Sequence, residues 1–124
     1  MLFDKITQGL AAGTYYLGLR HKTIANNLAN SDTPGYKAMD ISFNDQLKHF
    51  MSKSYPGSKT AFLAPPVLFL EPDLTSGEPR MDLNTVNVDQ ELVKLSQNTI
   101  LHNTYLQLLS IKFRTIKSAI SGNI

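Results

Sequence analysis

The chain is predicted to be mainly α, with two long helices at its ends packed antiparallel as a coiled coil. A short extended or β-like, proline-rich insert joins them. Three observations predict this. Apolar residues recur in alternating steps of three and four near both termini, the spacing of one helix face. Five of the six prolines fall between Ser54 and Leu83, where they block both helix interior and central strand. The 124 residues, 42% of them hydrophobic, suffice for one ordinary domain. The helical core is expected over 1–36 and 84–124 and the insert over 37–83.

At the N-terminus, Phe3, Ile6, Leu10, Gly13, Leu17, Arg20, Ile24 and Asn27 form an a/d stripe. Leu19 and Leu28 widen it. The spacing predicts one helix from Asp4 to Asn30, about 40 Å long. Gly9, Gly13 and Gly18 each weaken it by about 1 kcal/mol relative to Ala. Gly9 and Gly13 read equally as a weak helix or as a close approach by a neighbouring one. Arg20 and Asn27, polar at core-type positions, are candidates for fixing register or partner number.

The helix stops in Ala25 to Lys37, ANNLANSDTPGYK. Asn26, Asn27 and Asn30 compete for backbone hydrogen bonds, and Asn tolerates the left-handed conformation that ends helices. Pro34 and Gly35 suit the two central positions of a type II turn.

Beyond the turn, Met39 and Ile41 alternate with Ala38 and Asp40, so an extended segment is predicted to about Ile41. Ser42 or Asn44 then caps a short helix to about Ser52 carrying Phe43, Leu47, Phe50 and Met51. Ser54 to Leu83 is expected to project as a small extended insert, flexible in the free subunit. Val67 to Leu70 reads as a strand that pairs with Arg80 to Leu83.

The C-terminal stripe is the most regular. Val88, Leu92, Leu95, Thr99, His102, Leu106, Leu109, Phe113, Ile116 and Ile120 follow steps of four and three without a slip. Asn87 is placed as N-cap with Gln90 at the third helical position, a variant of the capping box. Asp89 and Glu91 sit in the first turn and Lys117 in the last, as the helix dipole favours. Gly122 and Asn123 supply the stop. The helix predicted from Val88 to Ser121 is about 50 Å long. A second row, Leu101, Tyr105, Leu108 and Ile111, lies beside the stripe. One partner helix cannot cover both rows, so part of this helix should face other subunits.

Two patches carry a resemblance. ANNLANSDTPGYK resembles the N-terminal signature of the bacterial flagellar rod and hook proteins. DLNTVNVDQELVKLSQNTILHNTYLQLL, from Asp82 to Leu109, resembles the C-terminal segment of proximal rod proteins of that family. The resemblance implies paired terminal helices stacked as coiled coils in an inner tube, with the intervening segment facing outward. It implies a structural subunit of the proximal rod, a torque-transmitting shaft across the periplasm. Implied partners are other rod subunits, further copies of the chain, the rod base adaptor and the export gate. Implied export runs through the flagellar type III apparatus, without a cleaved signal peptide. The other readings are a different rod protein of the same superfamily and an unrelated helical adaptor.

The residues themselves argue against other classes. A net charge of +2 without a basic, aromatic-interleaved stripe gives no footprint for nucleic acid. No apolar run reaches the 18 residues of a membrane span, and the run from Ile6 to Leu19 is too polar for a signal-peptide core. Cysteine is absent. His21, His49 and His102 have no metal-ligand spacing, and no phosphate loop or nucleophile motif occurs. No catalytic residue, metal or cofactor is expected. The expected assembly contacts are Ile6, Leu10, Leu17, Ile24 and Leu28, with Leu92, Leu95, Leu106, Leu109, Phe113, Ile116 and Ile120. Asn26, Asn27, Asn30, Thr33, Pro34, Gly35 and Tyr36 are expected to set the exit angle of the first helix.

Overall fold

The computed structural model describes residues 4–52 and 70–122. In chain order they form helix α1 (Lys5–Ala29), strand β1 (Met39–Asp40), helix α2 (Phe43–Ser52), strand β2 (Glu71–Pro72) and helix α3 (Val88–Ser121). Phe3, Asn123 and the expected strand residues Val67 to Phe69 lie outside this range.

Helix α1 begins where Asp4 accepts hydrogen bonds from the Thr7 N–H at 2.8 Å and the Thr7 hydroxyl at 2.7 Å. Two of its glycines make room for neighbours. A Cβ on Gly9 would stand 3.1 Å from Met51 Sδ of α2, and one on Gly13 only 2.6 Å from Tyr105 Cε1 of α3. Close approach is therefore the role of both. The third, Gly18, faces open space.

Helix α2 packs on α1 next to α3, and Phe43 meets Tyr105 edge-on at 5.5 Å. Before it, β1 pairs antiparallel with β2, Met39 opposite Pro72 and Asp40 opposite Glu71. This corrects the expected hairpin. The segment from Arg80 to Leu83 is a turn, closed by the Leu83 N–H on the Arg80 carbonyl at 2.8 Å. Leu83 takes a left-handed φ of 63° there, which is why it cannot extend as a ladder partner.

Helix α3 spans its predicted range. The Asn87 side chain accepts from the Gln90 N–H at 3.2 Å, Asp89 and Glu91 lie in the first turn, and Gly122 ends the helix at φ 70°. The last turn itself holds no basic residue; Lys117 stands just before it.

Contacts between α1 and α3 pair Asn27 with Glu91, Leu17 with Asn98, Gly13 with Tyr105 and Asp4 with Lys112. Numbers rise on one helix as they fall on the other. The buried apolar residues between the elements are Ala12, Tyr16, Leu17, Ile24, Ala38, Ile41 and Val86. Among the described residues an equal number of polar ones is buried with them: Thr7, Asn27, Gln46, Ser76, Asn84, Glu91 and Asn98. Full burial of Leu17 and Ile24 contributes about 1.5–3 kcal/mol each. Directional bonds among the buried polar groups add to this apolar burial.

Candidate functional site

The motif turn folds as its residues dictate. The Tyr36 N–H reaches the Thr33 carbonyl at 3.3 Å across Pro34 and Gly35, and Gly35 has φ 73°, the positive value a type II turn requires at that position. The end of α1 differs from expectation. Asn30 stays out of the left-handed region, at φ −103°. The carbonyls there are taken instead by a residue from another part of the chain. Asn84, fully buried, donates its Nδ2 to the carbonyls of Asn30, Ser31 and Thr33 at 2.9, 3.1 and 2.8 Å, and its Oδ1 accepts from the Val86 N–H at 2.7 Å. Arg80 donates to the Ser31 carbonyl, Gly35 N–H to Asp82 O at 2.8 Å, and Thr85 N–H to Tyr36 O at 3.0 Å. The two stretches that resembled the rod family are thus stitched to each other.

Asn27 is the second hub. Its amide acts as a piece of strand for β1, donating to Met39 O at 2.7 Å and accepting from Met39 N–H at 3.1 Å. It also donates to Glu91 Oε2 at 3.1 Å and accepts from the Tyr36 hydroxyl at 3.1 Å. Asn26 and Asn30 are peripheral. Asn26 donates to the Tyr36 hydroxyl at 3.0 Å, and Asn30 Nδ2 donates to Asn26 O at 2.8 Å while its Oδ1 accepts from the Thr33 hydroxyl at 3.2 Å. Burial raises the Tyr36 hydroxyl above its ordinary pKa, though Asn26 opposes it. Pro34 is exposed.

From Glu91 the network continues outward. Lys94 lies 3.3 Å from Glu91 Oε1 and pairs with Asp73, whose own N–H holds the Ala38 carbonyl at 2.9 Å. Burial pushes the Asp73 carboxyl up, but the Lys94 ammonium and the Thr75 hydroxyl and N–H outweigh it and hold the carboxyl below its ordinary value. Burial likewise pulls Lys94 down, and Asp73 and Glu91 together hold it above its ordinary value. Arg20 leaves the seam sideways for a two-point pair with Asp40 of β1, at 3.0 and 3.1 Å. It borders a cleft of about 460 Å³ with Glu71, Leu74 and Leu101.

The face α3 turns toward α1 is rotated from the predicted stripe. Leu95, His102, Leu109 and Ile116 do line the seam, half-buried. Their companions are Glu91, Asn98, Tyr105 and Lys112, none of them exposed, which complete the same alternation of four and three. The predicted companions Val88, Leu92, Thr99, Leu106, Phe113 and Ile120 are all exposed. The helix is turned by about half the 100° between successive residues. Polar chemistry hides this column in the sequence, because a hydrophobicity count skips an acid, an amide and a base. Of the second predicted row, Leu101 and Tyr105 face inward while Leu108 and Ile111 are exposed.

The expected assembly residues consequently separate. Leu17 and Ile24 are 0% exposed and belong to the chain's own core. Leu10, Leu28, Leu95, Leu109 and Ile116 are half-buried. Ile6 and Ile120, 63% and 71% exposed, stand open with Leu92, Leu106 and Phe113. Asn84, Asp73, Lys94, Asn98 and Tyr105 were not singled out for these roles. The one available sign was a recurrence every seven residues from Glu91 to Lys112.

Among the described residues no three His, Asp or Glu side chains are grouped to hold a metal, and no helix is long and apolar enough to cross a membrane.

Comparison with known proteins finds relatives along nearly the whole chain. The family described as "Flagella basal body rod protein" matches residues 19–37, from within α1 through the motif turn. The chain is 31% identical to the flagellar basal body rod protein FlgB of Bacillus subtilis (strain 168), covering 98% of this chain and 97% of that one. It is 30% identical to FlgB of Yersinia enterocolitica over 96% of this chain and 98% of that one. With FlgB of Escherichia coli (strain K12) it shares 29%, over 98% and 100% respectively. A likeness that runs almost end to end, through both stitched stretches, places the chain in the FlgB family of flagellar basal body rod proteins.

Proposed function

We propose that the chain builds the proximal rod as an antiparallel α1–α3 coiled coil whose outward apolar rows are covered by neighbouring rod subunits. Its role is that of a structural subunit of the flagellar basal-body rod. The carrying observation is the open column Leu92, Thr99, Leu106, Phe113 and Ile120, repeating every seven residues on α3. Apolar rows of that length on one molecule mark a surface that assembly buries. Ile6 at the start of α1 and Ile111 on α3 add to it, with Leu10, Leu28, Leu95, Leu109 and Ile116 at the rims.

In this reading 1–36 and 84–124 form the helical wall, and 37–83 faces away from the tube axis. The stitched turn fixes the angle at which the insert leaves the wall. The work is mechanical, transmitting torque without catalysis. The base adaptor and export gate lie below the subunit and other rod proteins above it, and the chain arrives through the flagellar type III apparatus.

Leu106→Asp tests this. The side chain is already half in water, so the purified variant should keep its stability to within about 0.5 kcal/mol. Cells carrying it should not swim, and the subunit should no longer co-purify with basal bodies. Normal swimming by the variant would remove the open column from the assembly.

A further inference from the structure

Leu95, His102, Leu109 and Ile116 repeat every seven residues along the seam. Such a repeat is nearly blind to translation. Sliding α3 by one heptad, about 10 Å at 1.5 Å per residue, sets each member where its neighbour stood. The companion column is not blind. Glu91, Asn98, Tyr105 and Lys112 are an acid, an amide, a ring and a base, and each meets a different group on α1. Glu91 receives the Asn27 amide at 3.1 Å, and Asn98 donates to the Leu17 carbonyl at 2.9 Å. Tyr105 fills the notch that only a missing Cβ leaves at Gly13, and Lys112 pairs with Asp4 at 2.9 Å.

A slip in either direction breaks the match. In one, Tyr105 lands on Leu17, where no notch receives it, and Lys112 lands on Gly13. In the other, the buried Glu91 carboxylate faces the Leu17 carbonyl, acceptor against acceptor, and Tyr105 faces Asp4. Asn98 has no account in stability alone. It is 1% exposed, and its Oδ1 has no hydrogen-bond donor among the described residues. A half-satisfied buried amide weakens a fold, and its best-attested use between helices is to specify register.

We propose that the column Glu91, Asn98, Tyr105 and Lys112 is a register key, which admits α1 in one alignment and rejects the heptad-slipped ones that the apolar repeat would accept. The alignment matters because it sets the relative height of the two helix ends. It also sets whether Asn84 can reach the end of α1. This inference rests on the coiled-coil pairing proposed above, and the test separates the two.

The chain has no cysteine, so spin labels on Lys22→Cys and Gln97→Cys, both exposed, report the alignment of the full-length chain. The parent is expected to give one narrow distance. Replacing Asn98, Tyr105 and Lys112 together by Leu is expected to add a second population, with the axial offset changed by about 10 Å. An unsplit distance in that variant overturns the key and leaves the pairing intact. A parent with no defined distance overturns the pairing itself. Should the triple variant fail to fold, Asn98→Leu alone decides. A raised Tm with a split distance supports the key, and a lowered Tm or an unsplit distance overturns it.

Discussion

Asp73 and Lys94 show how one pair of side chains ties the small sheet to α3. Their titration has a definite sign. The Asp73 carboxyl is held below its ordinary 3.8, so the unfolded chain takes up that proton more readily than the folded one. The stability it contributes is complete above about pH 4 and drains as pH falls through the lower folded value. Lys94 is held above 10.5, so its share is complete below that pH and is lost as pH rises beyond it. Thermal unfolding should therefore show this pair's full contribution, with no pH dependence from it, between about pH 5 and 9, and a falling Tm in acid. Asp73→Asn should lower the neutral-pH Tm and flatten the acid limb. An unchanged acid limb in that variant would assign the acid sensitivity to other carboxylates.

The helices show what a sequence can and cannot reveal. The bounds and caps of α3 were legible because capping and stop chemistry is local: Asn87 before the first turn, Gly122 after the last. The Thr33 to Tyr36 turn was legible for the same reason. The facing side of α3 was not, because it is set by partners dozens of residues away, with Glu91 answering Asn27 and Lys112 answering Asp4. The partner of β2 was illegible too. Two paired residues carry almost no alternation, and Asn27, not a third strand, completes the edge of β1.

The glycines of α1 allow a test at this scale. Gly18→Ala adds a methyl in open space and should stabilise the chain by about 1 kcal/mol through helix propensity. Gly13→Ala gains the same propensity but drives a methyl into Tyr105, which is itself backed by Phe43. Overpacking of about 1–3 kcal/mol should make it the net destabilising change. Chemical denaturation of both variants checks the opposite signs, and two stabilising results would mean that Tyr105 yields freely.

Across the whole molecule the bonding is uneven. Asn27, Asn84, Glu91 and Asp73 gather at the end where α1 stops and α3 starts. Toward the opposite end Asp4 pairs with Lys112, and the side chains of 117–121 are mostly exposed. Amide hydrogen exchange in the isolated chain should follow this gradient, slow around 84–98 and progressively faster toward 121. Uniform protection along α3 would contradict it. Incorporation into the rod should slow the fast end.

A centre in which, among the described residues, buried polar side chains are as numerous as apolar ones has a calorimetric consequence. Melting such a centre wets proportionally less hydrocarbon, and newly wetted polar groups offset part of the heat-capacity rise that hydrocarbon causes. The increment should fall below the usual value of about 12–15 cal/mol/K per residue. The stability curve of the subunit is then shallow, changing little between a cold environment and a warm one.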